Sequence, residues 1–158
     1  MLVQCVIYDG PDTRFTGREI CFASNEDTVT IVDLTDIAAP QMLGAVPRQT
    51  TYILDVANLT NPPAPMASTN RTTAIDHNLY ITGGYVYESN YTAGLQIFDA
   101  ASIPSGQLDE VAYFDVFPAS DDPEFEGTWS NYPFFDEGFV AVSGIDSGLF
   151  VLRPTLGG

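Results

Sequence analysis

Apolar and polar residues alternate in short runs along most of this chain, and Gly, Asn and Asp punctuate the runs. The clearest stretch covers residues 74–99. There Leu79-Tyr80-Ile81, Tyr85-Val86-Tyr87 and Leu95-Gln96-Ile97-Phe98 are separated by Gly83-Gly84 and by a polar turn, and Asp99 closes the set. Alternation bounded in this way predicts antiparallel strands joined by tight turns.

The same unit recurs. Displaced by 54 positions, Gly84-Tyr85-Val86 falls on Gly138-Phe139-Val140 and Gly94-Leu95 on Gly148-Leu149. Displaced by 66 in the other direction, Thr82-Gly83 falls on Thr16-Gly17 and Ile97-Phe98-Asp99 on Ile31-Val32-Asp33. A partial copy begins at Tyr52-Ile53-Leu54-Asp55. The copies span about residues 5–46, 51–73, 74–117 and 128–155, the second of them incomplete. Self-similarity of about 40–50 residues with several strands per copy predicts blades of a β-propeller. The expected fold is therefore all-β, a single partial β-propeller domain over residues 1–158 with about three blade equivalents of antiparallel strands.

In chain order, Cys5-Val6-Ile7-Tyr8 reads as a strand followed by a turn at Asp9-Gly10-Pro11-Asp12. The first copy ends at Asp33, and Met42-Leu43-Gly44-Ala45-Val46 gives its outer strand. Only Pro47-Arg48-Gln49-Thr50-Thr51 then precedes Tyr52, where the other copies supply two strands. Asn61-Pro62-Pro63-Ala64-Pro65 is too proline-rich for a central strand. No segment reads as a helix. Closed propellers need about four to eight blades. The expectation is thus an open arc whose end copies expose Ile31, Tyr52, Ile53, Phe150 and Leu152 and which self-associates through those edges.

Charge narrows the partners. Five basic residues against 21 acidic ones give a net charge of −16. Nucleic acid and anionic membrane surfaces both need Lys and Arg, so they are excluded as partners. No run of about 18 apolar residues is present to span a bilayer. The Met1-Leu2-Val3-Gln4-Cys5 start has neither the basic segment nor the apolar core of a signal peptide.

The two cysteines fall on strands, Cys21 at a position equivalent to Tyr87. A Cys5–Cys21 disulfide would contribute about 3 kcal/mol by chain entropy; the alternative is a pair of buried thiols. Asn58, Asn70 and Asn90 head Asn-X-Ser/Thr sequons, the glycosylation candidates of a secretory route.

Candidate chemistry gathers at equivalent positions of successive copies. Asp76-His77-Asn78 and Trp129-Ser130-Asn131 each stand just before the first strand of a copy, and in a propeller such positions collect at one rim of the central channel. His77, the one histidine, is with Asp76 a candidate metal ligand or general base. The alternative is that these polar residues tie strand starts down through hydrogen bonds to backbone. Calcium or another divalent metal is the candidate cofactor, at Asn25-Glu26-Asp27 with Asp33 and Asp36, or in the acidic loop Asp121-Asp122-Pro123-Glu124-Phe125-Glu126. Turns and a solvated connection account for the same residues. Trp129, Tyr132, Phe134 and Phe135 form an aromatic group suited either to stacking on a sugar ring or to packing between blades. Asp33, Asp55 and Asp99 recur with the repeat, which predicts a turn-capping role. No nucleophile elbow and no phosphate-binding glycine loop is present.

Several motifs also carry a family resemblance. Cys5-Val6-Ile7-Tyr8-Asp9-Gly10-Pro11-Asp12, Gly17-Arg18-Glu19-Ile20-Cys21-Phe22, Asn25-Glu26-Asp27-Thr28-Val29-Thr30-Ile31-Val32-Asp33, Asp76-His77-Asn78-Leu79-Tyr80 and Trp129-Ser130-Asn131-Tyr132-Pro133-Phe134-Phe135 occur in order. Together they resemble the choice-of-anchor B family, extracytoplasmic β-propellers with LVIVD-type repeats. The resemblance implies the C-terminal part of such a propeller with an internal loss near Val46. It also implies an extracellular or cell-surface location. Two functions follow as expectations. One is a non-enzymatic module that binds protein or glycan at its rim. The other is a propeller hydrolase or lyase with a rim metal held by His77 and Asp76.

Overall fold

The computed structural model describes residues 2–24, 28–47, 51–68 and 72–156. They divide into two compact units, Met1–Ala67 and Ser68–Gly158. The division falls inside the incomplete sequence copy at residues 51–73.

In the first unit β1 (Leu2–Ile7), β2 (Glu19–Ser24), β3 (Thr28–Asp33) and β4 (Gln41–Pro47) form one antiparallel sheet in chain order. Cys5 stands directly opposite Cys21 in the β1–β2 register, with Cα atoms 4.0 Å apart, and the two are joined in a disulfide. The alternative of two free thiols falls away. β5 (Thr51–Ile53) pairs with β6 (Met66–Ser68) in a separate two-stranded sheet.

The shortened copy makes no full sheet. Instead, the chain after β5 packs back over the first one. Tyr8, Phe15, Ile20, Ile31 and Leu59 form the core, with Phe22, Leu43, Leu54 and Val56 packed against it. Ile20 and Ile31 face the same way because neighbouring strands present alternate residues to one side. The returning segment is pinned by polar bonds. The Tyr8 hydroxyl donates to the Val56 carbonyl at 2.9 Å, and the Leu59 amide donates to Asp12 Oδ2 at 3.0 Å. At Gly44 a side chain would collide with the Leu59 carbonyl and Pro62, so glycine permits the close approach. Ile31, expected on an exposed blade face, is therefore buried at 0% exposure. Its cover comes from the half-copy, whose own strands among the described residues are just the short pair β5 and β6.

In the second unit β7 (Asn78–Thr82), β8 (Tyr85–Ser89), β9 (Leu95–Asp99) and β10 (Asp109–Phe114) form an antiparallel sheet in chain order, followed by the sheet of β11 (Thr128–Tyr132), β12 (Val140–Gly144) and β13 (Gly148–Leu152). The two sheets share one core of Tyr87, Leu95, Ile97, Val140 and Val142. Tyr85, Ala112, Phe150, Leu152 and Leu156 pack against it. Phe150 and Leu152, expected on an exposed end face, thus line this core. β8 and β9 are buried on both faces, since Val86, Glu88, Gln96 and Phe98 are also at most 3% exposed.

The protein is therefore all-β, built of antiparallel sheets whose bounds follow the sequence copies. Among the described residues the helical content is two 3-10 turns, Thr13–Phe15 and Ala100–Ser105. The recurring aspartates cap turns: Asp33 Oδ1 accepts from the Thr35 amide, Asp55 Oδ1 from Ala57 and Asp99 Oδ1 from Ala101. No helix among the described residues is long and apolar enough to cross a membrane.

Candidate functional site

The two repeat-equivalent triplets meet in the second unit, where β11 packs against β7 and β8. The Ser130 hydroxyl donates to Asn78 Oδ1 at 3.0 Å. Asn131, 4% exposed, turns inward and donates from Nδ2 to the Tyr87 carbonyl at 3.2 Å and the Ser89 hydroxyl at 2.9 Å. His77 Nδ1 lies 2.7 Å from the Trp129 carbonyl. A carbonyl only accepts, so Nδ1 carries the proton and the imidazole is oriented by backbone. A register shift between Thr128 and Ser130 makes Trp129 the bulged residue, which turns its indole outward at 53% exposure.

A tight turn at residues 90–94 supplies the floor. Tyr91 holds a left-handed backbone, φ 38°, rare outside glycine. Its carbonyl compensates by taking donors from the Gly94 amide at 3.0 Å, the Thr128 amide at 2.9 Å and the Thr128 hydroxyl at 3.1 Å. Gly127, at φ +83°, lets β11 come this close; any side chain there would strike the Tyr91 carbonyl. The Tyr91 ring is 4% exposed, and burial pushes its phenol pKa up.

Around that ring sit three others. His77 lies 4.7 Å from Tyr91 and 4.7 Å from Trp129, centroid to centroid. Phe125 meets Tyr91 edge-on at 5.3 Å and is itself 65% exposed. Tyr132, Phe134 and Phe135 form a second aromatic group, all between 43% and 49% exposed, with Tyr80 edge-on to Phe134 at 5.6 Å. These rings are partners of one another at the surface and do not belong to the core between the sheets.

The acidic loop is held beside the first group. Thr92 Oγ1 donates to the Asp122 carbonyl at 2.8 Å, and Thr73 Oγ1 to the Asp121 carbonyl at 2.7 Å. A cleft of about 220 Å³ follows, lined by Phe117, Glu126, Gly127, Asp146 and Ser147. Burial, a hydrogen bond with Asp146 and the like charges of Asp146 and Glu124 push the Glu126 carboxyl above its ordinary value.

The other expected residues are placed as follows. Among the described residues no three His, Cys, Asp or Glu side chains converge as a metal site, at Asp76 and His77 or in the acidic loop. Asn25-Glu26-Asp27 and the Asn70 sequon lie outside the described residues. Asn58 Oδ1 accepts from Arg14 and from the Asn61 amide. Asn90 is 0% exposed and donates from Nδ2 to Glu88 Oε2 at 3.3 Å and Gln96 Oε1 at 3.4 Å. A glycan on that nitrogen has no room in the fold, which removes Asn90 as a glycosylation candidate. Tyr91, Phe125 and Asp146 were not legible as site residues. Their signal is the left-handed turn and the loop attachment, neither of which has a sequence period.

No family model, no curated protein and no solved structure matches this chain.

Proposed function

We propose that this chain is an extracellular or cell-surface repeat module of propeller type, akin to the choice-of-anchor B family, which binds a ligand at the rim of its second unit without transforming it. The observation that carries the reading is the meeting of Asp76-His77-Asn78 with Trp129-Ser130-Asn131. His77 Nδ1, Ser130 Oγ, Asn78 Oδ1 and Asn131 Nδ2 are held by backbone or by neighbouring side chains, while the Trp129 face beside them stays open to solvent. A catalytic base needs reach to a substrate proton. An exposed aromatic face flanked by fixed polar groups suits recognition. The disulfide belongs to an oxidising compartment.

The test is binding of the purified chain to arrays of immobilised glycans and peptides. The expected result is saturable binding that falls by about tenfold or more in Trp129→Ala, as for an aromatic anchor at the centre of a contact. Metal-dependent turnover of a glycoside or ester substrate, lost in His77→Ala, would overturn the reading in favour of a rim hydrolase.

A further inference from the structure

We propose that the aromatic rim of the second unit docks a basic peptide segment of a partner protein, with its Arg or Lys side chains lying on Trp129 and Phe125 and reaching the cleft between Glu126 and Asp146. This rests on the binding-module reading and gives it a partner chemistry.

Exposed aromatic faces attract two kinds of ligand, the apolar faces of sugars and cations held by the ring quadrupole. The groups around the rings decide between them. A sugar needs hydrogen-bonding side chains directed at its hydroxyls. Here Ser130 Oγ, Asn78 Oδ1 and Asn131 Nδ2 are already committed inside the unit. What borders the rings is negative charge. Asp121, Asp122, Glu124 and Glu126 surround Phe125 in the chain, and Asp76 adjoins His77. The loop carrying the first four is anchored through its backbone carbonyls to Thr73 and Thr92, so those bonds leave the carboxylates out of the anchoring.

Among the described residues of the second unit, little competes for that charge. The chain contains no lysine. Among the described residues of the second unit the one arginine, Arg153, is occupied elsewhere, donating to the Glu137 carbonyl at 2.9 Å and lying over the Phe139 ring at 4.2 Å. The Glu126–Asp146 cleft, about 220 Å³, admits a guanidinium or an ammonium group with its alkyl stem. Glu126 and Asp146 both line the cleft, so a cation seated there meets two carboxyl groups at once. Glu126, which lines the cleft, follows Phe125 directly in the chain.

Trp129 is the one tryptophan of the chain, and its emission reports on the rim directly. The purified chain is titrated at about 0.15 M salt, where diffuse attraction is largely screened. The probes are hexa-arginine, hexa-glutamate and maltohexaose. The expected result is a saturable change in Trp129 emission with hexa-arginine and none with the other two. The double variant Glu126→Gln/Asp146→Asn should weaken binding by about tenfold or more, as loss of desolvated cation partners does. Phe125→Ala, at an exposed side chain outside both cores, should weaken it as well and serves if the double variant fails to fold. Asp109→Asn sits at the far end of β10, opposite Asp99 and away from the 90–94 turn, and should change affinity by less than about twofold.

Saturation with maltohexaose alone would overturn the basic-peptide assignment and leave the rim a glycan site. Equal weakening by Asp109→Asn would reduce the effect to net charge and overturn the site. No response to any probe would also overturn it, whatever ligand the arrays identify.

Discussion

Asp12 shows how far one side chain can organise a unit. Its carboxylate accepts from Arg14 Nε at 2.9 Å, from Arg14 Nη2 at 2.8 Å and from the Leu59 amide at 3.0 Å, and the residue is 5% exposed. The hydrogen-bonded Arg14 guanidinium, helped by the Leu59 amide, holds its pKa far below the ordinary carboxylate value despite the opposing effect of burial. Asp33 is also lowered. Burial opposes that shift, and the Thr35 hydrogen bonds and the Arg18 charge outweigh it. Both groups have folded pKa values below the unfolded ones. Their stabilisation is thus complete above the unfolded value near 3.9 and is lost as pH falls through the folded values. The expected outcome is a first unit whose stability declines below about pH 4. Asp12→Asn should be less stable at neutral pH and show a flatter acid dependence. Urea unfolding read by circular dichroism at stepwise lower pH measures this, and parallel acid profiles for variant and parent would contradict it.

At the scale of elements, every full copy solves the same problem with an antiparallel meander, and the copies differ in what covers it. β1 lies at the edge of its sheet with Val3, Val6 and Ile7 exposed, and the Cys5–Cys21 bond ties that edge strand to β2, where Ile20 and Cys21 are buried. Such a bond acts on a strand with few core contacts of its own. Oxidised protein, denatured without reductant, is expected to show no reactive thiol by quantitative labelling. The Cys5→Ala/Cys21→Ala variant should lose about 2–4 kcal/mol, measured by denaturant unfolding. Fast hydrogen exchange confined to β1 would identify that strand as the one released. Loss below about 0.5 kcal/mol would mean that β1 contributes little to the fold. In the second unit the element-scale device is the Tyr91 turn, whose carbonyl receives the first residue of β11 and so sets the seam between successive sheets.

For the whole molecule, charge is the governing feature. A net −16 over 158 residues repels itself in the folded state. Two ion pairs, Arg14–Asp12 and Arg18–Asp33, occur among the described residues, both in the first unit. Screening should therefore stabilise the protein. Raising sodium chloride from about 0.02 M to about 0.5 M shortens the Debye length from roughly 20 Å to about 4 Å. The melting temperature is expected to rise by about 2–4 °C per kcal/mol of repulsion removed. A melting temperature that falls with salt would instead show that specific pairs outweigh diffuse repulsion. The same field favours the approach of basic over acidic molecules.

The sequence determined what is periodic. Alternation at Leu79-Tyr80-Ile81 and Leu95-Gln96-Ile97-Phe98 reads directly as strands, since each residue's side is set by the pleat and needs no distant partner. The repeat placed Cys21 and Tyr87 on second strands, gave Asp33, Asp55 and Asp99 their turns, and brought His77 towards Trp129 from opposite ends of a 52-residue separation. Tertiary structure decided what has no period. The half-copy around Leu59 carries too few residues for a full meander and forms the β5–β6 pair instead, and folding it over Ile31 buries apolar surface that an isolated meander leaves wet. Asn90 has the same local sequon whether inside or outside, and only the packing of Glu88 and Gln96 around it makes it inaccessible. Tyr91 and Phe125 became site residues because a strained turn and a tethered loop lie side by side, and such a juxtaposition depends on contacts across 34 residues of chain.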